Sequence, residues 1–310
     1  MAAGGGSKAI VAAFLANLGI AISKFFGFWF TGSSSMLAEA IHSVADTGNQ
    51  GLLLLGGRLA RREADDQFQF GFGRERYFWS FVVALVLFSL GALFASYEGI
   101  QKIRHPHEIE SPIWAFAILG VAIVLESVSF RVAIRESRPL KGQSDWWGFI
   151  KNSRVPELPV VLLEDLGALL GLTIAFASVA IAVIFDAPVW DGIGTLAIGL
   201  LLGAIAVVLA IEMRSLLLGE SATPKNLELI RKAMSESPNV NRLIHLRTQH
   251  IGPDELLVGA KIAFDGKLAT SELAMAINEV ERRVREVVPI ARPMYIEPDI
   301  YSDGPAEEGD

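Results

Sequence analysis

The chain has 310 residues, of which 52% belong to the hydrophobic set and only 20% are charged. A soluble domain of this size would carry more charge and shorter apolar runs, so the composition predicts a helical membrane protein with several spans. The chain contains no cysteine, which excludes disulfides, thiolate metal sites and thiol redox chemistry. Its formal net charge of −7 argues against nucleic acid as a partner.

Apolar segments long enough to cross about 30 Å of hydrocarbon recur through the first two thirds of the chain. We predict six spans, at residues 9–30, 36–59, 77–100, 112–132, 158–185 and 190–211. Lysine and arginine are concentrated in the connections after the second and fourth spans. The positive-inside rule therefore places both termini in the cytoplasm. The first span is too long and too polar for a signal peptide, and no transit peptide is evident, which favours a bacterial inner membrane.

Two connections show local patterns of their own. The run from Asp65 to Arg74, rich in glycine and phenylalanine, predicts an ordered turn after the second span. Residues 144–151 include Trp146 and Trp147 and predict a short helix at the membrane interface, where tryptophan prefers the headgroup region.

The character of the sequence changes after Arg214. The order helix, two strands, helix, strand over residues 222–301 predicts a small α+β unit with a ferredoxin-like sheet. We therefore divide the chain into a transport domain (1–214), a cytoplasmic domain (215–301) and a disordered acidic tail (302–310). A unit of about 80 residues is marginally stable alone, so we expect a homodimer formed through it.

A stripe of polar residues crosses the second predicted span. Glu39, His42, Asp46 and Asn49 fall within roughly 80° of one another on one helical face. Ionisable side chains at membrane depth are costly, and they indicate a functional site. His42 and Asp46 point the same way and are able to bind one metal ion together. The alternative is a polar pair that only hydrogen-bonds a neighbouring helix.

The fifth predicted span favours metal binding, because it carries a second pair of acids, Glu164 and Asp165. Two spans that both contribute acids can form one divalent-cation site between them. Imidazole and carboxylate ligands without thiolate suit zinc, and also cobalt, iron(II) or manganese(II).

Other polar residues have simpler interpretations. Glu126 is interpreted as a core acid with satisfied hydrogen bonds, and His105 and His107 as surface residues of a loop. His245 and His250 fall on opposite faces of a predicted strand, which disfavours a shared metal site with Asp299. Glycine pairs four residues apart in the last two spans predict close helix contacts. No hydrolase or Walker motif is present, so we expect no enzyme.

Several segments together resemble the cation diffusion facilitator family. Residues 33–46, Ser-Ser-Ser-Met-Leu-Ala-Glu-Ala-Ile-His-Ser-Val-Ala-Asp, are similar to the family's signature in the second span. Residues 70–76, Phe-Gly-Phe-Gly-Arg-Glu-Arg, are similar to its Phe-Gly-His-Gly-Lys segment. Leu163-Glu164-Asp165 and the run from Asp46 to Gln50 are most similar to the branch that contains the mitochondrial zinc exporter.

The resemblance implies a homodimer that exchanges zinc or a similar divalent ion for protons by alternating access. It implies that His42 and Asp46 are ligands in span two and that Asp165 is the ligand in span five. The usual ligand four residues before that aspartate is Val161 here. Glu164, Asn49 or water would then complete the site.

The chain departs from the family pattern at two further places. The positions of the family's loop histidines hold Phe68 and Phe72, so a second site in that loop is not expected. The ligand positions of the cytoplasmic domain hold Ile244, Lys261 and Glu297. Metal-dependent clamping of that domain is therefore not expected either.

Three hypotheses for function follow. The first is a proton-coupled divalent-cation antiporter that exports zinc from the cytoplasm. The second is a membrane scaffold or regulator whose metal site has degenerated. The third is an intramembrane metalloenzyme, for which the sequence offers no substrate pocket.

Overall fold

A computed structural model describes residues 5–31, 34–106 and 112–301 of the chain. The chain divides into two compact units, Met1–Leu217 and Leu218–Asp310. The tail predicted at 302–310 and the loop residue His107 lie outside the described residues.

The first unit is helical. Its helices are α1 (Gly5–Thr31), α2 (Ser34–Leu59), α3 (Glu75–Val82), a π-helical segment (Val83–Leu87), α4 (Phe88–Arg104), α5 (Pro112–Lys141), α6 (Trp146–Asn152), α7 (Glu157–Ile184) and α8 (Val189–Leu218). Within the described residues, four helical stretches are long and apolar enough to cross a membrane: Glu75–Arg104, Pro112–Lys141, Glu157–Ile184 and Val189–Leu218. The chain is thus an integral membrane protein, while the count of six spans stays a prediction.

Two helices continue past the predicted end of their span by more than a helical turn. The sixth span was expected to end at residue 211, whereas α8 continues to Leu218. The fourth span was expected to end at residue 132, whereas α5 continues to Lys141 and includes Pro139. Beyond residue 132 the helix is amphipathic, because Ala133 and Ser137 are buried and Arg135 is exposed. Hydropathy marks where an apolar segment ends, and a helix with a polar face continues past that point.

α7 packs antiparallel to α5, since Ser129 contacts Asp165 while the earlier residue Phe116 packs against the later residue Phe176, with ring centres 5.0 Å apart. Glycines let α8 approach its neighbours closely. A Cβ on Gly194 would lie 2.4 Å from the Ser178 Cβ of α7, and a Cβ on Gly99 of α4 would lie 2.5 Å from the backbone nitrogen of Leu196 in α8. These contacts hold α8 against both α7 and α4.

The connection between α2 and α3 is ordered, as predicted. The Asp65 carboxylate accepts hydrogen bonds from the backbone N–H groups of Gln67 and Phe68, at 3.0 and 2.7 Å. Gly71 has a φ of +74°, which favours glycine. The rings of Phe68 and Phe72 lie 4.9 Å apart, so aromatic packing occupies these two positions.

The predicted interfacial helix corresponds to α6, whose N-terminus is capped by Asp145. Lys141 lies 5.3 Å from the ring centre of Trp146, and Lys151 lies 5.3 Å from that of Trp147. Amphipathic side chains of this kind suit the polar boundary of a bilayer.

The second unit contains α9 (Pro224–Ser235), β1 (Val240–Gly252), β2 (Glu255–Phe264), α10 (Thr270–Val287) and β3 (Ala291–Pro298). This is the predicted order of helices and strands. The sheet has the order β1-β2-β3, with β1 antiparallel and β3 parallel to β2. Apolar side chains of α9, α10 and the sheet form one core, which includes Ile230, Val258 and Val280. The ferredoxin-like assignment stays a prediction.

Candidate metal centre

Two consecutive carboxylates lie buried in α7. The exposed fraction is 9% for Glu164 and 4% for Asp165. Consecutive helical residues point about 100° apart, so the two side chains face different neighbouring helices. Both acids contact polar groups of those neighbours, as buried carboxylates require.

Glu164 faces α2. Its Oε1 accepts a hydrogen bond of 3.0 Å from the side-chain amide of Asn49, and its Oε2 accepts one of 2.6 Å from that of Gln50. Asn49 is 6% exposed and Gln50 is fully buried. The structure thus brings together two of the predicted site residues, Asn49 and Glu164, from positions 115 residues apart.

Asp165 faces α5. Its Oδ2 accepts a hydrogen bond of 3.0 Å from the hydroxyl of Ser129. Hydrogen bonds of this kind orient a carboxylate and stabilise its charged form. Asp165 is therefore held in place by Ser129, a residue outside the predicted site.

His42 and Asp46 belong to α2, but their side chains lie outside the described part of the structure. Helical spacing puts Asp46 three and four positions before Asn49 and Gln50, on the same face of α2. Within the described side chains, no group of three histidine, aspartate or glutamate residues is arranged to bind a metal ion. Whether His42 and Asp46 join the acids of α7 stays a prediction.

Val161 occupies the position one turn before Asp165. Its side chain is 1% exposed and belongs to the apolar core of the helical unit. An apolar contact thus occupies the position at which the family resemblance implies a ligand, and oxygen donors of other residues would have to complete a metal site.

In the second unit, Lys261 extends between two acids. Its Nζ lies 3.6 Å from Glu297 Oε1 and 3.9 Å from Asp299 Oδ2. An ammonium group therefore pairs with both carboxylates here and offsets one of their two negative charges. His250 is buried and His245 is exposed, so the alternation predicted for β1 is confirmed and these histidines do not share one site with Asp299.

Three polar residues near the carboxylates or at the start of α7 were missed in the sequence: Gln50, Ser129 and the ion-paired Arg76. Gln50 is detectable in principle, because it is an amide within an apolar span and lies one helical turn after Asp46 of the polar stripe. Ser129 had no such signal, since serine is common in membrane helices. Arg76 forms an ion pair with Glu157. The two residues are far apart in the sequence, so their spacing along the chain does not indicate the pair.

Apolar helices with buried acids define an integral membrane protein that has a polar site among its helices. A family model described as the cation efflux transmembrane domain matches residues 10–218. The chain therefore belongs to the cation diffusion facilitator family, which comprises metal-cation transporters and not enzymes.

The human protein named "Proton-coupled zinc antiporter SLC30A9, mitochondrial" is 31% identical over 296 residues, which cover 94% of this chain and 52% of that protein. "Metal tolerance protein C4" of Arabidopsis thaliana is 30% identical over 282 residues, with 90% and 60% covered. "Magnetosome protein MamB" of Paramagnetospirillum magneticum is 23% identical over 265 residues, with 84% and 83% covered. The chain spans about half the length of the SLC30A9 proteins it matches.

Proposed function

We propose that this protein is a proton-coupled divalent-cation antiporter that exports zinc from the cytoplasm by alternating access. The observation that carries the proposal is the pair of buried carboxylates in α7, which meets polar groups of α2 and α5. Buried acids within a membrane-spanning helix mark ion pathways. The names of the SLC30A9 relatives, at 31% identity, support zinc and protons as the exchanged ions.

The proposed site contains His42, Asp46 and Asp165, with Glu164 and Asn49 completing it. In the inward-facing state, neutral imidazole and the carboxylates bind the ion together. In the outward-facing state, protons compete for the same groups and release the ion. Imidazole suits this exchange because its unperturbed pKa, about 6.5, lies in the physiological range.

The proposal also covers the membrane location, the orientation and the oligomeric state of the protein. We propose that both termini lie in the cytoplasm, on the distribution of basic residues. We retain the bacterial inner membrane as the predicted location. We also propose a homodimer, because the second unit is small for an independent domain.

The test is zinc flux into proteoliposomes under an imposed pH gradient. Wild-type protein is compared with Asp46→Ala and Asp165→Ala, and Ser127→Ala serves as a control because its hydroxyl bonds only the Ile123 carbonyl of its own helix among the described contacts. Gradient-driven flux that disappears in both aspartate variants, and persists in the control, supports the antiporter. Unchanged proton coupling in His42→Ala would refute the role of the histidine.

One observation favours the second candidate, a metal-binding scaffold or regulator without transport. Val161 fills a ligand position with a buried apolar side chain. Folded wild-type protein that moves none of zinc, manganese, cobalt and iron(II) would refute the antiporter and favour this candidate, with tight binding indicating a retained metal site and no binding a degenerate one. Flux of manganese, cobalt or iron(II) in place of zinc would keep the transporter and change its substrate.

A further inference from the structure

The side-chain amides of Asn49 and Gln50 hold one carboxylate from two sides. The Asn49 nitrogen donates to Glu164 Oε1 and the Gln50 nitrogen donates to Glu164 Oε2, at 3.0 and 2.6 Å. The opposite orientation of either amide would direct a carbonyl oxygen at a carboxylate oxygen, which is repulsive. We call the two residues the amide clamp. The clamp fixes where both amide oxygens lie, beside the carboxylate of Glu164.

Both of these oxygens lack a donor. Within the described residues, Asn49 Oδ1 and Gln50 Oε1 are buried and accept no hydrogen bond. A buried polar group without a partner costs roughly 1–3 kcal/mol, so two neighbouring ones require an explanation. A cation in the site would satisfy both, because amide oxygens are neutral ligands for hard divalent ions.

We propose that Gln50 is a specificity-determining residue of the transport site, and that the amide clamp supplies neutral oxygen donors to the transported ion. The inference rests on the proposed function and deepens it, because it assigns a ligand-bearing face to α2 beyond the predicted stripe. Of the two clamp residues, Gln50 is held more tightly, since it is fully buried and makes the shorter hydrogen bond to Glu164.

The chemistry of the donors predicts the effect on metal choice. Amide and carboxylate oxygens suit manganese(II), which favours six oxygen ligands, while zinc is satisfied with four ligands and prefers nitrogen or sulfur. Oxygen donors from the clamp compensate for the ligand missing at Val161 and broaden the site towards manganese. Removing one of these oxygen donors therefore lowers the affinity for manganese more than the affinity for zinc.

The experiment compares zinc and manganese flux in proteoliposomes for wild type, Gln50→Met and Gln50→Glu. Methionine keeps the length of the side chain without either amide atom, and glutamate keeps an oxygen at its end. Gln101→Met in α4 is the matched control, since Gln101 is half-buried in another helix. Binding of each metal to the purified protein is measured by calorimetry, which is independent of turnover.

We expect the manganese-to-zinc ratio of flux and of affinity to fall about tenfold in Gln50→Met, the scale seen when groups beside a metal are removed. In Gln50→Glu the ratio stays at or above that of wild type, and in Gln101→Met it is unchanged. An equal loss for both metals in Gln50→Met would overturn the inference, because it would show that Gln50 only stabilises the fold. A fallen ratio in Gln50→Glu would overturn it as well.

The failure of this inference is distinguishable from that of the proposed function. If wild-type protein moves none of zinc, manganese, cobalt and iron(II), the transporter itself is refuted and the specificity role falls with it. If wild type moves one or both under the pH gradient and the ratio is insensitive to Gln50, only the specificity role is refuted.

Discussion

Glu157, the first residue of α7, accepts two hydrogen bonds from the guanidinium of Arg76 near the start of α3. Arg76 Nη2 donates to Glu157 Oε2 at 2.9 Å, and Arg76 Nε donates to Glu157 Oε1. The side chains are 14% and 3% exposed. This bidentate ion pair connects the starts of two helices 81 positions apart in the sequence. It fixes α7, and with it both carboxylates of the candidate site.

Replacing Arg76 with methionine will destabilise the protein strongly. The change leaves the Glu157 carboxylate buried without its charged partner, which costs about 3–5 kcal/mol. The measurement is chemical unfolding of the purified protein in detergent. The control is Lys102→Met, which removes an ion pair of 3.0 Å with Asp191 that is partly exposed. Lys102→Met should lower the free energy of unfolding by less than about 1 kcal/mol. An equal loss of stability in the two variants would contradict the prediction.

Replacing Ser129 with alanine will weaken metal binding. Asp165 loses the hydroxyl that orients it, and loss of such a supporting hydrogen bond lowers metal affinity by about 10- to 100-fold. Zinc affinity and the KM for zinc flux measure the effect. Ser127→Ala on the same helix removes a hydroxyl bonded to the Ile123 carbonyl at 2.6 Å. It should leave zinc affinity unchanged, and a matching loss there would mean that α5 responds to any serine substitution.

Replacing Gly99 with alanine will disrupt the contact between α4 and α8. The new Cβ would lie 2.5 Å from the backbone nitrogen of Leu196, which cannot rotate away. Overpacking of this kind costs about 1–3 kcal/mol or more. Thermal unfolding in detergent provides the test. At Gly120 in α5 nothing lies within 4 Å of the new Cβ, so Gly120→Ala should be stabilising by about 0.5–1 kcal/mol. If Gly120→Ala were destabilising, contact with a neighbouring helix would not by itself decide whether a glycine-to-alanine change stabilises or destabilises the protein.

In the second unit, Arg282 and Arg283 lower the pKa of Glu279 to about 2 through hydrogen bonds to its carboxylate. Because the folded pKa lies below the unfolded value of 4.5, the stabilisation is complete above about pH 4.5 and is lost as the pH falls towards 2. The effect on stability is small because the pair is exposed. A pH titration followed by carboxyl-carbon NMR, with glutamate labelled, should show this low titration midpoint for Glu279. The Arg282→Gln variant should raise it towards 4.5, and an unchanged midpoint would contradict the assignment to Arg282.

Local patterns in the sequence account for much of the observed architecture. The apolar segments at 158–185 and 190–211 correspond to α7 and α8, and the later pattern gives α9, β1, β2, α10 and β3 in order. These features depend on side chains within one or two helical turns, so periodicity is enough to find them. The end of α5 was missed for the same reason, because its last turns are amphipathic and not apolar.

Part of the candidate site was also predictable, since acids in an apolar span are conspicuous. Glu164, Asp165 and Asn49 were selected from the sequence, and all three are buried. Only the tertiary structure decided that Glu164 meets Asn49 and Gln50 of α2 while Asp165 meets Ser129 of α5. Residues that lie next to each other on a helix diverge by about 100°, and the packing of the neighbouring helices determines which partner each one meets.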